Sequence, residues 1–518
     1  MSFPQPAICR QDVCKRIVAP WMAHTIRLRP YPMINRGHLV FLMSATPILK
    51  YYKASVAAMG NLTPTHTLIV TSDRYPAYIK ADDIHEWMVD MDAIQICGGN
   101  TLCGEVDIQG SKNGTLPLLA ASILVKGKTV LENCPMITDV DHMIKLLEYA
   151  GCKVTRNKRS VEIDAASIHR TDFPPEHTGV MRSSIMLLGA MLGRMGEIST
   201  YYPGGCVIGE RPIDMHMDAL TQLGVQFTES DTKVEARTGQ LGGGSIKLAF
   251  PSVGATENVI LACVLAKGNT LIEGCAREPE IVELCRFLNR AGAKIRGAGG
   301  SRIYIEGVEK LQEICYRVMP DRIVAGTYLL AGVMTKGIVV LNQAPVDQMQ
   351  ELFRILQMMG ADLAIADQWV CINGEHAGKS IARVKTAVYP GFPTDLQSAF
   401  MAAFTLADGC SIMEETIFES RFKVVPQLQK MGADIHVMGR RAMICGVSSL
   451  KGCKVEAMEL RGGAALVLAG LAASGMTIVE NRHFIDRGYE DICRDLKALG
   501  AKISDEKEGI LPETWCGK

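Results

Sequence analysis

The chain has 518 residues, of which 48% are hydrophobic and 21% charged, and its 55 basic side chains equal its 55 acidic ones. This length and composition are typical of a globular protein with two domains of about two hundred residues each. The balanced charge excludes a global basic field, so we expect neither a nucleic-acid partner nor a membrane partner, and any anion site must be built locally.

Residues 1–90 lack the periodic pattern found in the rest of the chain. We interpret them as an N-terminal extension that is either poorly ordered or a mispredicted start, and we assign it no function. The apolar run at 38–49 is too short for a membrane span and is broken by Pro47. Residues 1–20 do not have the charged, apolar and small-residue order of a signal peptide.

The chain has seventeen cysteines, an odd number, without a CxxC pair. An odd count without an export signal predicts reduced thiols and a cytoplasmic protein.

From residue 92 onward the sequence contains a sixfold repeat. One phrase, LLEYAGCKV in its first copy, recurs with steps of 73, 68, 68, 72 and 68 residues between its glycines. A second phrase, GKTVLEN in its first copy, runs in phase with it. Such a period indicates a repeat architecture built from small modules. The glycines of the first phrase are Gly151, Gly224, Gly292, Gly360, Gly432 and Gly500.

Each module reads as α/β. In the first module, an apolar helix at 116–125 is followed by a strand rich in Val, Leu and Thr. A second, amphipathic helix at 139–150 ends at Gly151, which we expect to provide a left-handed C-cap. Two short strands follow, within 152–157 and 160–165.

Three modules per domain give two domains of the α/β class, in which helices pack against one another and the sheets face outward. We expect the seam near residues 318–322. The first three-module domain is predicted at 112–319 and carries the loop with Cys206. The second is predicted at 92–111 plus 320–505, with a C-terminal tail at 506–518.

The first helices of the modules begin with unusual polar residues at equivalent places. Helix N-termini attract anions, so a shared cleft with such starts would suit phosphate and carboxylate groups. Each residue alone also fits an ordinary role, a solvated lysine, an arginine cap or a capping aspartate. The residues are Lys112, Arg182, Arg322, Asp395 and Arg461.

Cys206 lies in the stretch PGGCVIGERPIDMH, residues 203–216. Gly204 and Gly205 favour an exposed turn, and Arg211 would stabilise a thiolate or tune the thiol as an acid. Local chemistry leaves two readings open, a reactive thiol and a loop cysteine without a role.

The motifs GSKNG, MRSS, PGGCVIGERPIDMH, FPSVGAT, REPEIV, PDRI, FPTD, FESRF, LRGGA and IDRGYE occur in this order. Over roughly residues 92–505 the chain resembles the UDP-N-acetylglucosamine 1-carboxyvinyltransferases, a family of enolpyruvyl transferases. The resemblance implies two inside-out α/β barrel domains with the active site between them. The related shikimate-pathway enolpyruvyl transferases share this fold but lack the PGGC loop.

The resemblance implies transfer of the enolpyruvyl group of phosphoenolpyruvate to the 3-hydroxyl of UDP-N-acetylglucosamine, with release of phosphate. It makes Cys206 the acid at C3 of phosphoenolpyruvate, able to form a covalent adduct, and the target of the epoxide fosfomycin. It makes Asp395 the base at the sugar hydroxyl, and Lys112, Arg211 and Arg487 the cations that hold phosphate and carboxylate.

The remaining residues that the resemblance implies as substrate contacts are Asn113, Arg182, Pro212, Ile213, Asp214, Met215, Phe250, Pro251, Ser252, Val253, Ile417 and Arg461. Neither a metal nor a cofactor is expected, because these cations already neutralise the substrate anion.

Three alternatives remain at this stage: a related transferase with another acceptor such as shikimate 3-phosphate, an inactive paralogue that only binds substrate, and a non-catalytic ring or clamp. The sequence departs from the common family pattern at Gly114, Glu210, Ser420 and Gly462. None of these departures removes a chemical group named above. The oligomeric state is left open.

Overall fold

The computed structural model describes residues 92–204, 208–209, 212–230 and 232–505, and the backbone of strands at 67–71 and 76–80. Residues 90–518 form one compact unit and residues 1–89 form another. In the smaller unit, β1 (Thr67–Thr71) pairs antiparallel with β2 (Pro76–Lys80). The expectation of poor order for residues 1–90 falls mostly on residues outside the described part of the chain.

The larger unit opens with two strands, β3 (Ala93–Cys97) and β4 (Cys103–Asp107). The first module then follows the predicted order, with α1 (Lys112–Ser122), β5 (Lys128–Glu132), α2 (Thr138–Ala150), β6 (Lys153–Asn157) and β7 (Ser160–Asp164).

The first helix spans residues 112–122, whereas the prediction was 116–125. Its earlier start follows from Ser111, whose hydroxyl caps the helix by accepting a hydrogen bond from the Gly114 amide at 3.0 Å. Helix α2 matches its prediction within one residue. The six glycines of the first repeated phrase all have positive φ, between 86° and 107°, which confirms the predicted left-handed conformation.

The elements of the next two modules are α3 (Pro175–Thr178), a 3-10 helix (Arg182–Ile185), α4 (Met186–Met195), β8 (Glu197–Tyr201), α5 (Asp214–Thr221), β9 (Gln226–Glu229), β10 (Lys233–Arg237), β11 (Ser245–Lys247), α6 (Val253–Cys263), β12 (Asn269–Glu273), α7 (Pro279–Arg290), β13 (Lys294–Arg296), β14 (Arg302–Glu306) and β15 (Ile314–Arg317).

The last three modules contain α8 (Arg322–Met334), β16 (Ile338–Asn342), a 3-10 helix (Val346–Gln348), α9 (Gln350–Met358), β17 (Asp362–Ala366), β18 (Trp369–Asn373), β19 (Val384–Lys385), a 3-10 helix (Thr394–Leu396), α10 (Gln397–Phe404), β20 (Cys410–Glu414), α11 (Val425–Lys430), β21 (Asp434–Met438), β22 (Arg441–Cys445), β23 (Lys454–Glu456), α12 (Leu460–Ala472), β24 (Met476–Glu480), a 3-10 helix (Arg482–Phe484), α13 (Ile492–Ala498) and β25 (Lys502–Asp505).

The strands of the larger unit form small sheets, in the orders β8-β10-β9, β11-β12-β14-β13, β15-β5-β7-β6, β17-β18-β16-β4, β19-β20-β22-β21 and β23-β24-β3-β25. Each four-stranded sheet contains one parallel pair, made with a strand from outside its own module. Strand β15 returns to the first module, and β3 and β4 join the last and fourth modules. Burial alternates along strands such as β14, so one face of the sheet meets the core and the other meets solvent.

The buried apolar side chains form two clusters. One cluster draws on residues between Leu116 and Val318, and the other on Ile94 to Ile108 together with Ile323 to Ile503. These two cores support the division into domains at 112–319 and at 92–111 plus 320–505, which we retain as a proposal. None of the helices in the described ranges is long and apolar enough to cross a membrane.

Helices fill the centre of the first cluster, where α4 packs directly on α6. A side chain at Gly189 would come within 2.2 Å of the Asn258 carbonyl oxygen, so only glycine allows this approach. The Gly189 amide donates a hydrogen bond to Asn258 Oδ1 at 2.6 Å. The contact fixes the helix that carries the FPSVGAT motif.

The expectation that the cysteines are all reduced thiols is wrong for Cys410 and Cys445, and Cys97 is also disulfide-bonded. Cys410 on β20 and Cys445 on β22 lie directly opposite each other, with their Cα atoms 4.0 Å apart, and form a disulfide. The repeat places these two residues on neighbouring strands, a proximity that a cysteine count does not reveal.

Candidate active site

Helices begin at the places that the sequence predicted, and the carboxylate of Asp321 bonds to the first turns of two of them. Asp321 caps α8 by accepting hydrogen bonds from the amides of Ile323 at 2.8 Å and Val324 at 3.0 Å. Its second oxygen accepts a hydrogen bond from the amide of Lys112, the first residue of α1, at 3.0 Å. The N-termini of helices from the two apolar clusters therefore meet at one point.

A cleft of about 450 Å³ opens where these helix starts converge. All five polar residues predicted at equivalent helix starts line it: Lys112, Arg182, Arg322, Asp395 and Arg461. The sequence-based expectation that the modules aim these residues at one cleft is confirmed.

Lys112 and Arg487 share a single buried carboxylate on one side of the cleft. Lys112 Nζ lies 2.8 Å from Asp139 Oδ2, and Arg487 Nε donates to Asp139 Oδ1 at 2.9 Å. Burial lowers the pKa of Lys112, and Asp139 opposes that shift. Burial raises the pKa of Asp139, but Lys112 and Arg487 outweigh it and hold the pKa low. These three groups carry one excess positive charge, which suits an anionic ligand.

Asp395 lies at the centre of a second cluster. Arg421 Nη2 donates to Asp395 Oδ1 at 2.6 Å, and Arg461 Nη2 donates to Oδ2 at 2.9 Å. Asn113 Nδ2 approaches the same carboxylate at 3.4 Å. Burial raises the pKa of Asp395, but the guanidinium groups of Arg461 and Arg421 outweigh it and hold the pKa far below its usual range. Asp395 is therefore an ionised hydrogen-bond acceptor.

Sequence reasoning did not single out three charged residues that contact the predicted site residues: Asp139, Arg421 and Glu459. Arg421 lies within the FESRF motif, so the motif could have indicated it from the sequence. Glu459 caps α12 by accepting from the amides of Arg461 and Gly462, and so orients the guanidinium beside Asp395. Asp139 offered no signal, because an aspartate in the first turn of a helix is an ordinary stabilising residue.

Another part of the cleft wall carries acidic side chains. Glu280 is bonded to Arg322, with Nε to Oε1 at 3.2 Å, and the Arg322 guanidinium lies over the ring of Tyr389. Glu278 accepts a hydrogen bond from the amide of Tyr389 at 3.2 Å. Glu257, on α6, completes this part of the wall. The wall of the cleft thus includes a cluster of cations around Asp139 and a cluster of acids around Arg322.

Of the predicted contacts, Asn113, Pro212, Met215, Phe250, Pro251, Ser252, Val253, Ile417 and Arg487 also line the cleft. Among the described residues, Ile213 and Asp214 lie outside its wall: Ile213 is buried in the apolar cluster and Asp214 is exposed at the start of α5. Their role stays a prediction. The predictions for Cys206 and Arg211 fall outside the described residues.

His216 lies in the first turn of α5 and also lines the cleft. The side chain is buried, and its Nδ1 lies 2.8 Å from Asn258 Nδ2. Within the described ranges, no group of three His, Cys, Asp or Glu side chains is placed to hold a metal ion.

Comparisons with known proteins show which family this chain resembles. The profile of the family described as EPSP synthase (3-phosphoshikimate 1-carboxyvinyltransferase) matches residues 96–496. UDP-N-acetylglucosamine 1-carboxyvinyltransferase 2 of Caldanaerobacter subterraneus subsp. tengcongensis is 46% identical over 413 residues, which cover 80% of this chain and 99% of the relative. The UDP-N-acetylglucosamine 1-carboxyvinyltransferase of Finegoldia magna is 45% identical over 417 residues, covering 80% and 98%.

Among solved structures, the enolpyruvyl transferase NikO from Streptomyces tendae superposes with a TM-score of 0.71 at 25% identity, covering 80% of this chain and 98% of that one. The fold class predicted from the repeat is confirmed by this likeness. The identity to the named relatives, over almost their entire length, selects one branch within the matched profile. The chain belongs to the UDP-N-acetylglucosamine 1-carboxyvinyltransferase family of enolpyruvyl transferases.

Proposed function

We propose that the protein transfers the enolpyruvyl group of phosphoenolpyruvate to the 3-hydroxyl of UDP-N-acetylglucosamine and releases phosphate. The observation that carries this proposal is the position of Asp395 between Arg421 and Arg461, in the same cleft as Lys112 and Arg487. A hydroxyl acceptor and an anionic donor require this combination of an ionised carboxylate and preorganised cations.

The donor is best held by the cluster of cations around Asp139. Lys112 and Arg487 lie together on Asp139, and their excess charge attracts the phosphate and carboxylate of phosphoenolpyruvate. By resemblance Cys206 protonates C3, which makes C2 electrophilic, and the sugar oxygen then forms a bond to C2. Loss of phosphate from C2 and of a proton from C3 restores the double bond in the product.

Asp395 receives the proton of the sugar hydroxyl. A carboxylate with a strongly lowered pKa is a weak base, and Arg461 and Arg421 are the cause. Phosphoenolpyruvate brings negative charge to the same cleft, which offsets these cations and raises the basicity of Asp395. Donor binding thereby prepares the base for the acceptor.

We further propose that this reaction is the first committed step of peptidoglycan precursor synthesis in the cytoplasm, serving cell-wall growth and division. The relatives' names support the acceptor, and shikimate 3-phosphate remains the alternative to exclude.

Phosphate release from phosphoenolpyruvate tests the proposal. Release should depend on UDP-N-acetylglucosamine and should not occur with shikimate 3-phosphate as the acceptor. Absence of acceptor-dependent release from well-folded protein would refute the proposed function. Release with shikimate 3-phosphate alone would assign the chain to the other branch.

A further inference from the structure

Glu257 in the wall of the cleft has no role in the reaction described above. It lies in the second turn of α6, and its side chain is on the same helix face as Val253 and Gly254, which also line the cleft. Only 1% of Glu257 is exposed, and its Oε2 has no hydrogen-bond partner among the described residues. A buried carboxyl oxygen without a partner lowers the stability of the fold.

The neighbouring acids differ from Glu257 because they are bonded. Glu280 is held by Arg322, and Glu278 accepts the amide of Tyr389. Glu280 and Glu278 are therefore already bonded to protein groups. Glu257 differs from them because its Oε2 lacks a partner among the described residues, so a ligand in the cleft can supply one.

The surroundings of Glu257 favour its neutral form. Burial raises its pKa well above the usual value, and the charges of Glu280 and Glu278 raise it further. Helix α6 packs against α4, α5 and α7. The titratable residues of these elements and of α8 are Arg194 on α4, Asp214, His216 and Asp218 on α5, Glu280, Glu283, Cys285, Arg286 and Arg290 on α7, and Arg322 and Tyr328 on α8, with Glu278 immediately before α7.

Of these groups, His216 is bonded to Asn258. Arg194 lies in the last turn of α4 and donates to the Ala165 carbonyl. The charges that act on the pKa of Glu257 are those of Glu280 and Glu278, and both raise it.

A neutral carboxyl presents one donor and one acceptor side by side. An amide presents the complementary pair, and phosphate or carboxylate would be repelled by Glu278 and Glu280. The nucleotide sugar of the proposed reaction carries two such groups, the acetamido group of its sugar and the imide of its uracil. We infer that Glu257 binds the acceptor by hydrogen bonds to one of these amide groups. This inference rests on the proposed function.

The test compares Glu257→Leu, which keeps the volume and removes the hydrogen bonds, with Glu257→Gln, which keeps a donor and an acceptor. Direct binding of UDP-N-acetylglucosamine is measured by calorimetry, with phosphate release as a second readout. Glu257→Leu should weaken acceptor binding about tenfold, the effect of losing a hydrogen-bonded site. Glu257→Gln should stay within about threefold of wild type. The KM for phosphoenolpyruvate should not change in either variant.

Stability provides a readout that a merely structural role would not give. Because Glu257 Oε2 has no hydrogen-bond partner among the described residues, Glu257→Leu should melt at the same or a higher temperature than wild type. Glu283→Gln is the matched control: Glu283 is a buried glutamate on α7, bonded to the Met319 amide at 2.9 Å. It should leave acceptor binding unchanged.

The pH dependence of UDP-N-acetylglucosamine binding tests whether Glu257 acts in its neutral form. This test does not rely on a disruptive variant. Since the neutral carboxyl is the donor, wild-type affinity for UDP-N-acetylglucosamine should be full below the raised pKa of Glu257 and fall as pH rises through it. Glu257→Gln should lack this component. UDP-glucose, which has uracil but no acetamido group, identifies the amide that Glu257 binds. If Glu257→Leu loses affinity equally for UDP-glucose and for UDP-N-acetylglucosamine, the amide is that of uracil. If it loses affinity for UDP-N-acetylglucosamine alone, the amide is the acetamido group.

Unchanged acceptor affinity in Glu257→Leu, or an equal loss in Glu257→Gln, would overturn the inference. Wild-type protein that does not bind UDP-N-acetylglucosamine would instead refute the proposed function, so the two failures are distinct.

Discussion

Arg421 donates a hydrogen bond to Asp395 at 2.6 Å, and both atoms lie in the wall of the cleft. The Arg421 side chain is 2% exposed and that of Asp395 is 26% exposed, so solvent screens this ion pair only in part. Arg461 and Arg421 together keep the proposed base ionised and hold the pKa of Asp395 low.

Arg421→Met should therefore change the acid side of the pH profile. Without the Arg421 guanidinium, burial raises the pKa of Asp395 against less opposition, since Arg461 remains. A carboxylate stops acting as a base when pH falls through its pKa, because it becomes protonated. We expect wild type to lack an acid limb from Asp395 above about pH 4. The variant should show such a limb at higher pH, together with a turnover about tenfold to a hundredfold lower near neutrality.

Arg354→Met serves as the control, because Arg354 forms an exposed pair with Glu351 on α9, where such pairs contribute little. An acid limb that is the same in wild type and Arg421→Met would show that Asp395 is not the titrating base.

Asp139→Asn should shift the alkaline side of the profile. Lys112 is buried between cations, and Asp139 is the group that keeps its pKa from falling further. A cation holds phosphoenolpyruvate only when protonated, so binding is lost as pH rises through the pKa of Lys112. In kcat/KM for phosphoenolpyruvate, the alkaline limb should move down by about one pH unit, a tenfold loss at alkaline pH.

Breaking this buried group should also destabilise the protein by about 3–5 kcal/mol, measured by denaturant unfolding. Asp141→Asn is the matched control on the same helix, where Asp141 is exposed and paired with Arg156. An alkaline limb unaffected by Asp139→Asn would mean that Lys112 does not titrate in donor binding.

The repeat made the architecture predictable, because each module carries the same helix, glycine and strand signals. It also placed Lys112, Asp395 and Arg461 in one cleft, since equivalent positions of equivalent modules converge. Asp139 was not predictable in this way: its role depends on contact with Arg487, which is 348 residues away in the chain. The pairing of Cys410 with Cys445 likewise arises from strand register, which the cysteine count does not contain.

From the glycines in its sequence we expect the loop that carries Cys206 to close over the cleft when the nucleotide sugar binds. Gly209→Ala should impair this closure. Gly209 has φ of 140°, and a Cβ there would lie 2.5 Å from Glu419 Oε2 and 3.2 Å from the Glu419 nitrogen. Beside it, Ile208 accepts a hydrogen bond from the Ser420 amide at 3.0 Å. Strain of about 1–3 kcal/mol should weaken this docking, and turnover should fall about tenfold.

Limited proteolysis near residues 203–211 measures the docking directly. UDP-N-acetylglucosamine should slow cleavage in wild type and slow it much less in Gly209→Ala. Gly239→Ala is the control, because nothing lies within 4 Å of a Cβ at Gly239. Equal protection of wild type and Gly209→Ala by the ligand would argue against a lid.

The reactivity of the thiols can be ranked by their surroundings. Burial raises the pKa of Cys134 and of Cys263 to about 12, so both remain protonated and unreactive near neutral pH. Cys103 and Cys315 are free and exposed, and they compete with Cys206 for any reagent that selects by exposure alone.

Fosfomycin should nevertheless label Cys206 alone. Its phosphonate resembles phosphoenolpyruvate and should be held by the same cations, Lys112 and Arg487, so that proximity to the bound epoxide selects the thiol. The sulfur would open the epoxide ring and form a carbon–sulfur bond. Peptide mapping should find this adduct on Cys206 as activity is lost.

Cys206→Ser should abolish labelling and lower turnover about a hundredfold or more, because a hydroxyl is a poorer acid and nucleophile. Cys103→Ser and Cys315→Ser should leave both unchanged, whereas labelling spread over these exposed thiols would make Cys206 an ordinary loop cysteine.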